Sequence, residues 1–130
     1  WVNKEVIIDD EQAYMDMMLD RICSVLEEPV DMYVNSCFLP YAMSDRYDMF
    51  WTEERIDRFV NALAKSGKAL EINELYHIPN KAIIQKAKAA GVKFTFGSNN
   101  ITPEVGTLDY CMKKECGLTA QDMYKPHINI

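Results

Sequence analysis

The side chains able to do chemistry in this chain fall in a few short polar runs. Asn35 ends the β-prone run 30–35, Glu71 and Asn73 lie near the end of the run 68–73, and Ser98, Asn99 and Asn100 follow the run 92–96. One carboxylate among amides and a hydroxyl suits the binding of a small polar ligand. It is also the ordinary vocabulary of strands turning into loops. His77, in the loop after Asn73, is placed for binding or proton transfer, or simply for helping the chain turn. Asp45, Asp48, Glu53 and Glu54 offer carboxylates for acid–base or divalent-cation chemistry, against the plainer role of stabilising a helix N-terminus. Tyr33, Phe38, Tyr41, Tyr47, Phe50 and Trp51 make the segment 33–51 rich in aromatics without a regular period. They suit either the wall of a sugar or nucleoside site or a satellite core under a long loop. Cys23, Cys37, Cys111 and Cys116 have neither zinc-site nor dithiol spacing, so free thiols in a reducing, cytoplasmic setting are expected, with one disulfide among the four as the open alternative. His127 is expected to be exposed, and Asn100-Ile101-Thr102 matches a glycosylation sequon at a length that chance supplies.

Helical and strand patterns alternate along the chain and must position these residues. Apolar Tyr14, Met17, Met18, Ile22, Val25 and Leu26 recur at helical spacing over 10–28, where Pro29 stops the helix. Thr52 with Glu53 and Glu54 opens a second helix, with Ile56, Phe59, Val60, Leu63 and Ala64 facing inward and Gly67 closing it. Asn80 caps a third, with Ile83, Ile84, Ala87 and Ala90 on one face and Gly91 at its end. Thr102-Pro103-Glu104 predicts a fourth helix over 102–116. Strands are predicted at 30–35, 68–73 and 92–97, with a further one at 4–8. Strands separated by helices, with no hairpin signal, imply right-handed crossovers and a parallel sheet. The class is α/β, and its parallel strand ends would gather Asn35, Glu71, Asn73 and Asn99 at one edge.

Composition sets the outer bounds. With 130 residues, 48% hydrophobic and 26% charged, the chain is long enough for one domain, 1–130, with a core of its own. It opens on Trp1 rather than Met, so a fragment of a longer chain is expected, and no run approaches the ~20 apolar residues of a membrane span. The net charge of −6 argues against nucleic acid as a partner. Residues 1–60 carry five basic and fourteen acidic side chains and residues 61–130 nine basic and six acidic, which would draw an anionic ligand to the second half. The eight Met residues read as core filler.

The runs Val30-Asp31-Met32-Tyr33-Val34-Asn35, Ala69-Leu70-Glu71-Ile72-Asn73 and Ala89-Ala90-Gly91-Val92, the last leading to Phe96-Gly97-Ser98-Asn99, resemble the second half of the polymerase and histidinol phosphatase (PHP) family. The resemblance covers about residues 28–118. It implies parallel β/α units forming the C-terminal half of a distorted (β/α)7 TIM-like barrel. Family members are metal-dependent phosphoesterases with a metal cluster at the strand ends. Where the family has a metal-binding His, this chain has Asn35. Where the family has Gly-Ser-Asp-Ala-His, it has Gly97-Ser98-Asn99-Asn100-Ile101, so Asn99 stands for the Asp and Ile101 for the His. An amide oxygen is a weak ligand for a catalytic transition metal and Ile is none.

The resemblance therefore implies a degenerate or repurposed hydrolase with no metal in the chain as it stands. Two alternatives stay open. One is an active hydrolase whose divalent metal (Zn, Mn, Fe or Mg) is completed by a preceding N-terminal half carrying the family's His-x-His pair. The other is a non-catalytic α/β binding or interaction domain. The expected partner is a small phosphorylated or sugar-like ligand, without nucleic acid or membrane. A half-barrel leaves raw sheet edges for an oligomer or the preceding half to cover.

Overall fold

Caps and apolar spacing set the helices of this computed structural model, which describes residues 6–111 and 116–127. Helix α1 spans Glu11–Val25 and is capped by Asp10, whose Oδ1 accepts from the Ala13 N–H at 2.9 Å. The one-turn helices α2 (Tyr41–Ser44) and α3 (Tyr47–Phe50) interrupt the aromatic stretch, which the sequence left irregular. Helix α4 spans Glu53–Ser66, with Thr52 as its cap and Gly67 in the left-handed conformation, φ 69°, as its stop. Helix α5 spans Lys81–Ala89 and is capped by Asn80. Strands β1 (Met32–Tyr33), β2 (Ala69–Asn73) and β3 (Phe94–Gly97) form one sheet in the order β1-β2-β3. Both pairings are parallel, with Tyr33 beside Leu70, Leu70 beside Phe94 and Asn73 beside Gly97.

The protein is thus a mixed α/β structure with a small, open, three-stranded parallel sheet. Successive crossovers carry α4 and α5 to the same side, where they pack on each other, and α1 packs on α4. Leu70, Ile72 and Phe94 join Phe59, Leu63, Ile83, Ile84 and Ala87 in one buried core. The aromatic stretch contributes to it: Tyr33 and Trp51 each pack on Phe59 and Tyr47 packs on Trp51, with ring centroids 5.8–6.3 Å apart.

In α1 Ile22 and Leu26 are buried and Tyr14 and Met18 pack against the core, as the spacing suggested, but Met15 and Leu19 are the most buried residues and Met17 and Val25 are exposed, because the face packed on α4 is centred on Met15, Leu19 and Ile22. Ala90, beyond the end of α5, is exposed as well. Strand β1 stops at Tyr33, two residues before Asn35, whose backbone turns left-handed at φ 49°. Residues 6–8 are not a strand, and the rest of the run 4–8 lies outside the described residues.

The predicted fourth helix is absent over 102–111, and 112–115 lie outside the described residues. Local polar bonds take the place of its first turns. The Asn100 amide oxygen accepts from the Gly106 N–H at 2.9 Å, and the Thr107 hydroxyl donates to Asp109 at 2.7 Å. Ile101 and Val105 are 77% and 84% exposed, while Leu108, Tyr110 and Cys111 reach the core from the irregular loop rather than from a helix. Met17, Met32 and Met49 are exposed and so are not core filler, whereas Met15 and Met43 are.

The charge imbalance between the halves is partly resolved by ion pairing. Lys86 of α5 bridges Glu53 and Asp57 of α4, from one half to the other, while Lys88 reaches Asp122 at 3.4 Å within the second. Within the first half, Arg46 holds Glu11 through two hydrogen bonds of 2.8 and 2.6 Å. No disulfide joins the four cysteines. No helix among the described residues is long and apolar enough to cross a membrane.

Candidate functional site

Parallel pairing brings the ends of all three strands to one edge of the sheet. Glu71, Asn73, Thr95 and Gly97 occupy the face opposite Leu70 and Ile72, because alternate residues of a strand point to opposite sides. From this face the Glu71 Oε2 accepts the Asn35 N–H at 2.7 Å. Asn73 is buried, and its Nδ2 donates to the Asn35 Oδ1 at 3.0 Å while its Oδ1 accepts the Tyr76 N–H at 3.0 Å. Gly97 makes room for the carboxylate, since a Cβ there would overlap the Glu71 Oε1 and crowd its Cδ. Backbone bonds complete the edge: the Glu74 N–H donates to the Gly97 carbonyl and the Asn73 N–H to the Ile78 carbonyl, both at 2.7 Å.

Asn35, Glu71 and Asn73, expected to converge, therefore form one hydrogen-bonded cluster beside Gly97. Ser98 and Asn99 leave the same edge partly exposed, Asn99 with a left-handed φ of 52°, and among the described residues no hydrogen bond joins them to the cluster. Asn100 is turned to its own loop through Gly106. His77, exposed and left-handed at φ 53°, stacks on Tyr110 with 4.4 Å between ring centroids and 9° between planes. Of the loop acids, Asp48 accepts from the Asn80 side chain at 2.8 Å, Glu53 pairs with Lys86 and Asp45 with Arg46.

Glu74 is a polar anchor that spacing along the sequence did not single out. Its carboxylate accepts the backbone N–H groups of Tyr110 at 2.8 Å and Cys111 at 3.0 Å, tying the loop after β3 to the end of β2. Partial burial works to raise its pKa, but these donors and His77 outweigh that and hold it below the ordinary carboxylate value. The one signal available was an acid immediately after the strand's last residue. Its partners lie 36 and 37 positions away, beyond the reach of any local pattern. Around it, burial pushes the Tyr110 hydroxyl up to about 12, helped by Cys116, Cys111 and Glu74. Burial likewise raises Cys111 to about 12, with Glu74 adding to the effect.

As a metal site the cluster is poor in strong donors. Glu71 supplies one carboxylate, the amide oxygens of Asn35 and Asn73 already accept hydrogen bonds, and Ile101 has no ligating atom. Among the described residues, no three His, Cys, Asp or Glu side chains are grouped to hold an ion. The amides and the one carboxylate of this edge are instead engaged largely with one another. Against protein-family models, curated proteins and solved structures, no match to this chain was found.

Proposed function

We propose that the chain is the C-terminal part of a PHP-type β/α barrel whose phosphoesterase site has been degraded or repurposed into a metal-free polar crevice. The observation that carries this reading is the mutual satisfaction of the strand-end groups. Glu71 is engaged by the Asn35 backbone and Asn35 by the Asn73 amide, so the groups that would face a metal face one another instead. Sequential strand order supports a barrel segment over a doubly wound sheet, whose order reverses at a switch point. The open outer edge of β1, where Met32 is 44% exposed, is where a preceding barrel strand would pair.

Metal-assisted hydrolysis needs enough strong ligands to lower the pKa of a bound water, and commonly a second ion for the leaving oxygen. Glu71 with neutral amides meets neither need. The test is hydrolysis of p-nitrophenyl phosphate with added Mn or Zn, beside metal analysis of the full-length protein. No turnover by the unmodified chain is expected. Activity that appears only in a full-length protein carrying Asn99→Asp and Ile101→His would support ligand loss. Robust turnover by the unmodified chain, abolished by Glu71→Gln, or stoichiometric Zn, Mn or Fe in the full-length protein would overturn it in favour of an active hydrolase.

A further inference from the structure

We propose that the groove between Phe38–Leu39 and Tyr76–Ile78, floored by Tyr47, is a binding site for a single neutral sugar ring. The inference goes beyond the family reading and stands separately, because none of Asn35, Glu71, Asn73 or Asn99 lines this groove. Its walls are the loops that leave β1 and β2, and Ser44, Tyr47, Asp48 and Asn80 close one side. The volume is about 270 Å³, below the range of drug-sized pockets and suited to one ring.

Three observations point to the ligand. The first is an aromatic wall. Phe38 and Tyr76 meet edge to face at 5.4 Å and are 38% and 51% exposed, leaving apolar ring surface at the mouth for the C–H face of a sugar. The second is an unmet polar group at the floor. The Tyr47 hydroxyl is buried and makes no well-formed hydrogen bond among the described residues, although the Cys37 thiol and the Asn80 backbone both lie close enough to bear on it. Burial, with Cys37, Tyr110 and Asp48 nearby, pushes its pKa well up, so it stays a neutral donor. A buried hydroxyl without a well-formed partner is costly, and a ligand hydroxyl would relieve that cost once a small side-chain shift uncovers it. The third is charge. The Asp48 carboxylate is oriented by the Asn80 Nδ2 at 2.8 Å, and the Asn80 Oδ1 is itself fixed by the Ile83 N–H at 3.0 Å. A positioned carboxylate accepts from hydroxyl groups and repels phosphate, which selects a neutral sugar over a phosphorylated one.

The test is an NMR titration of the purified chain with D-glucose, D-galactose, D-mannose and D-ribose, with glucose 6-phosphate and adenosine as separate arms. The expected result is saturable shifts of the Tyr76 and His77 resonances with at least one neutral sugar. Affinity should weaken about tenfold in Asp48→Asn, where the strongest acceptor is lost. Tyr76→Ala, at an exposed position, should weaken binding comparably while leaving the rest of the spectrum dispersed. Absence of saturable shifts with all four sugars would overturn the proposal. So would binding unchanged by both substitutions, or tighter binding of glucose 6-phosphate or adenosine.

Discussion

The two faces of β2 put neighbouring residues to opposite uses. Leu70 and Ile72 are fully buried among the residues of α4 and α5, while Glu71 and Asn73, one position away in each case, hold the turn after β1 by hydrogen bonds. The apolar face is held by contact with many partners and is tolerant of which atoms supply it. The polar face depends on a few directed bonds, each with one partner and a fixed geometry. Stability is concentrated on the first face and positional precision on the second, so substitutions on the two should fail in different ways.

The largest effect is expected on the apolar face. Ile72→Ala should cost about 2–5 kcal/mol in urea unfolding, by lost burial plus a residual cavity, and should leave the fold otherwise unchanged if it survives. A loss below 1 kcal/mol would mean that the core under β2 collapses freely, and the contrast would break. Next comes Gly97→Ala on the polar face, where the new methyl displaces the Glu71 carboxylate from the Asn35 N–H. A loss of about 1–3 kcal/mol is expected, together with faster hydrogen exchange at Asn35. Unchanged exchange at that amide would show that the carboxylate can reach it from another rotamer.

A smaller, pH-dependent effect belongs to Glu74. Its folded pKa lies below the ordinary 4.5, so its contribution is fully present above that value and is lost as the pH falls through the lowered one. Melting temperatures of the unmodified chain and Glu74→Gln should therefore differ at neutral pH and converge in acid, and parallel curves would count against the tether. The smallest change is expected at Ser36, whose buried hydroxyl makes no well-formed hydrogen bond among the described residues. Ser36→Ala should shift stability by less than about 0.5 kcal/mol in either direction.

What could be read from the sequence was local. The caps Thr52 and Asn80, the stop at Gly67 and the β-prone run ending at Asn73 each announce themselves within a few residues, and the helices and strand they delimit form nearly where expected. Parallel pairing followed from the alternation of these elements, and with it the gathering of Asn35, Glu71 and Asn73. What failed depended on distant neighbours. The apolar spacing of 10–28 found Ile22 and Leu26 but not Met15 and Leu19 on the face that α4 covers, and Thr102-Pro103-Glu104 is a helix start in isolation. In this fold Asn100 bonds to Gly106 instead and the tether from Glu74 holds the loop's far end. Nor could the sequence tell that the Asn35 contact to Glu71 runs through its backbone N–H rather than its side chain.

The left-handed backbone at Asn35 has a consequence for redesign. An imidazole is among the side chains that tolerate this conformation, so Asn35→His is admissible in torsional terms where Val or Ile would not be. It would nevertheless strip the Asn73 Nδ2 of its acceptor inside a buried position, leaving a donor with nothing to bind. Installing a metal ligand at position 35 is therefore a two-residue problem. Asn73 would have to change in the same step, to a side chain that fills its volume without its amide, before the new imidazole could turn toward an ion.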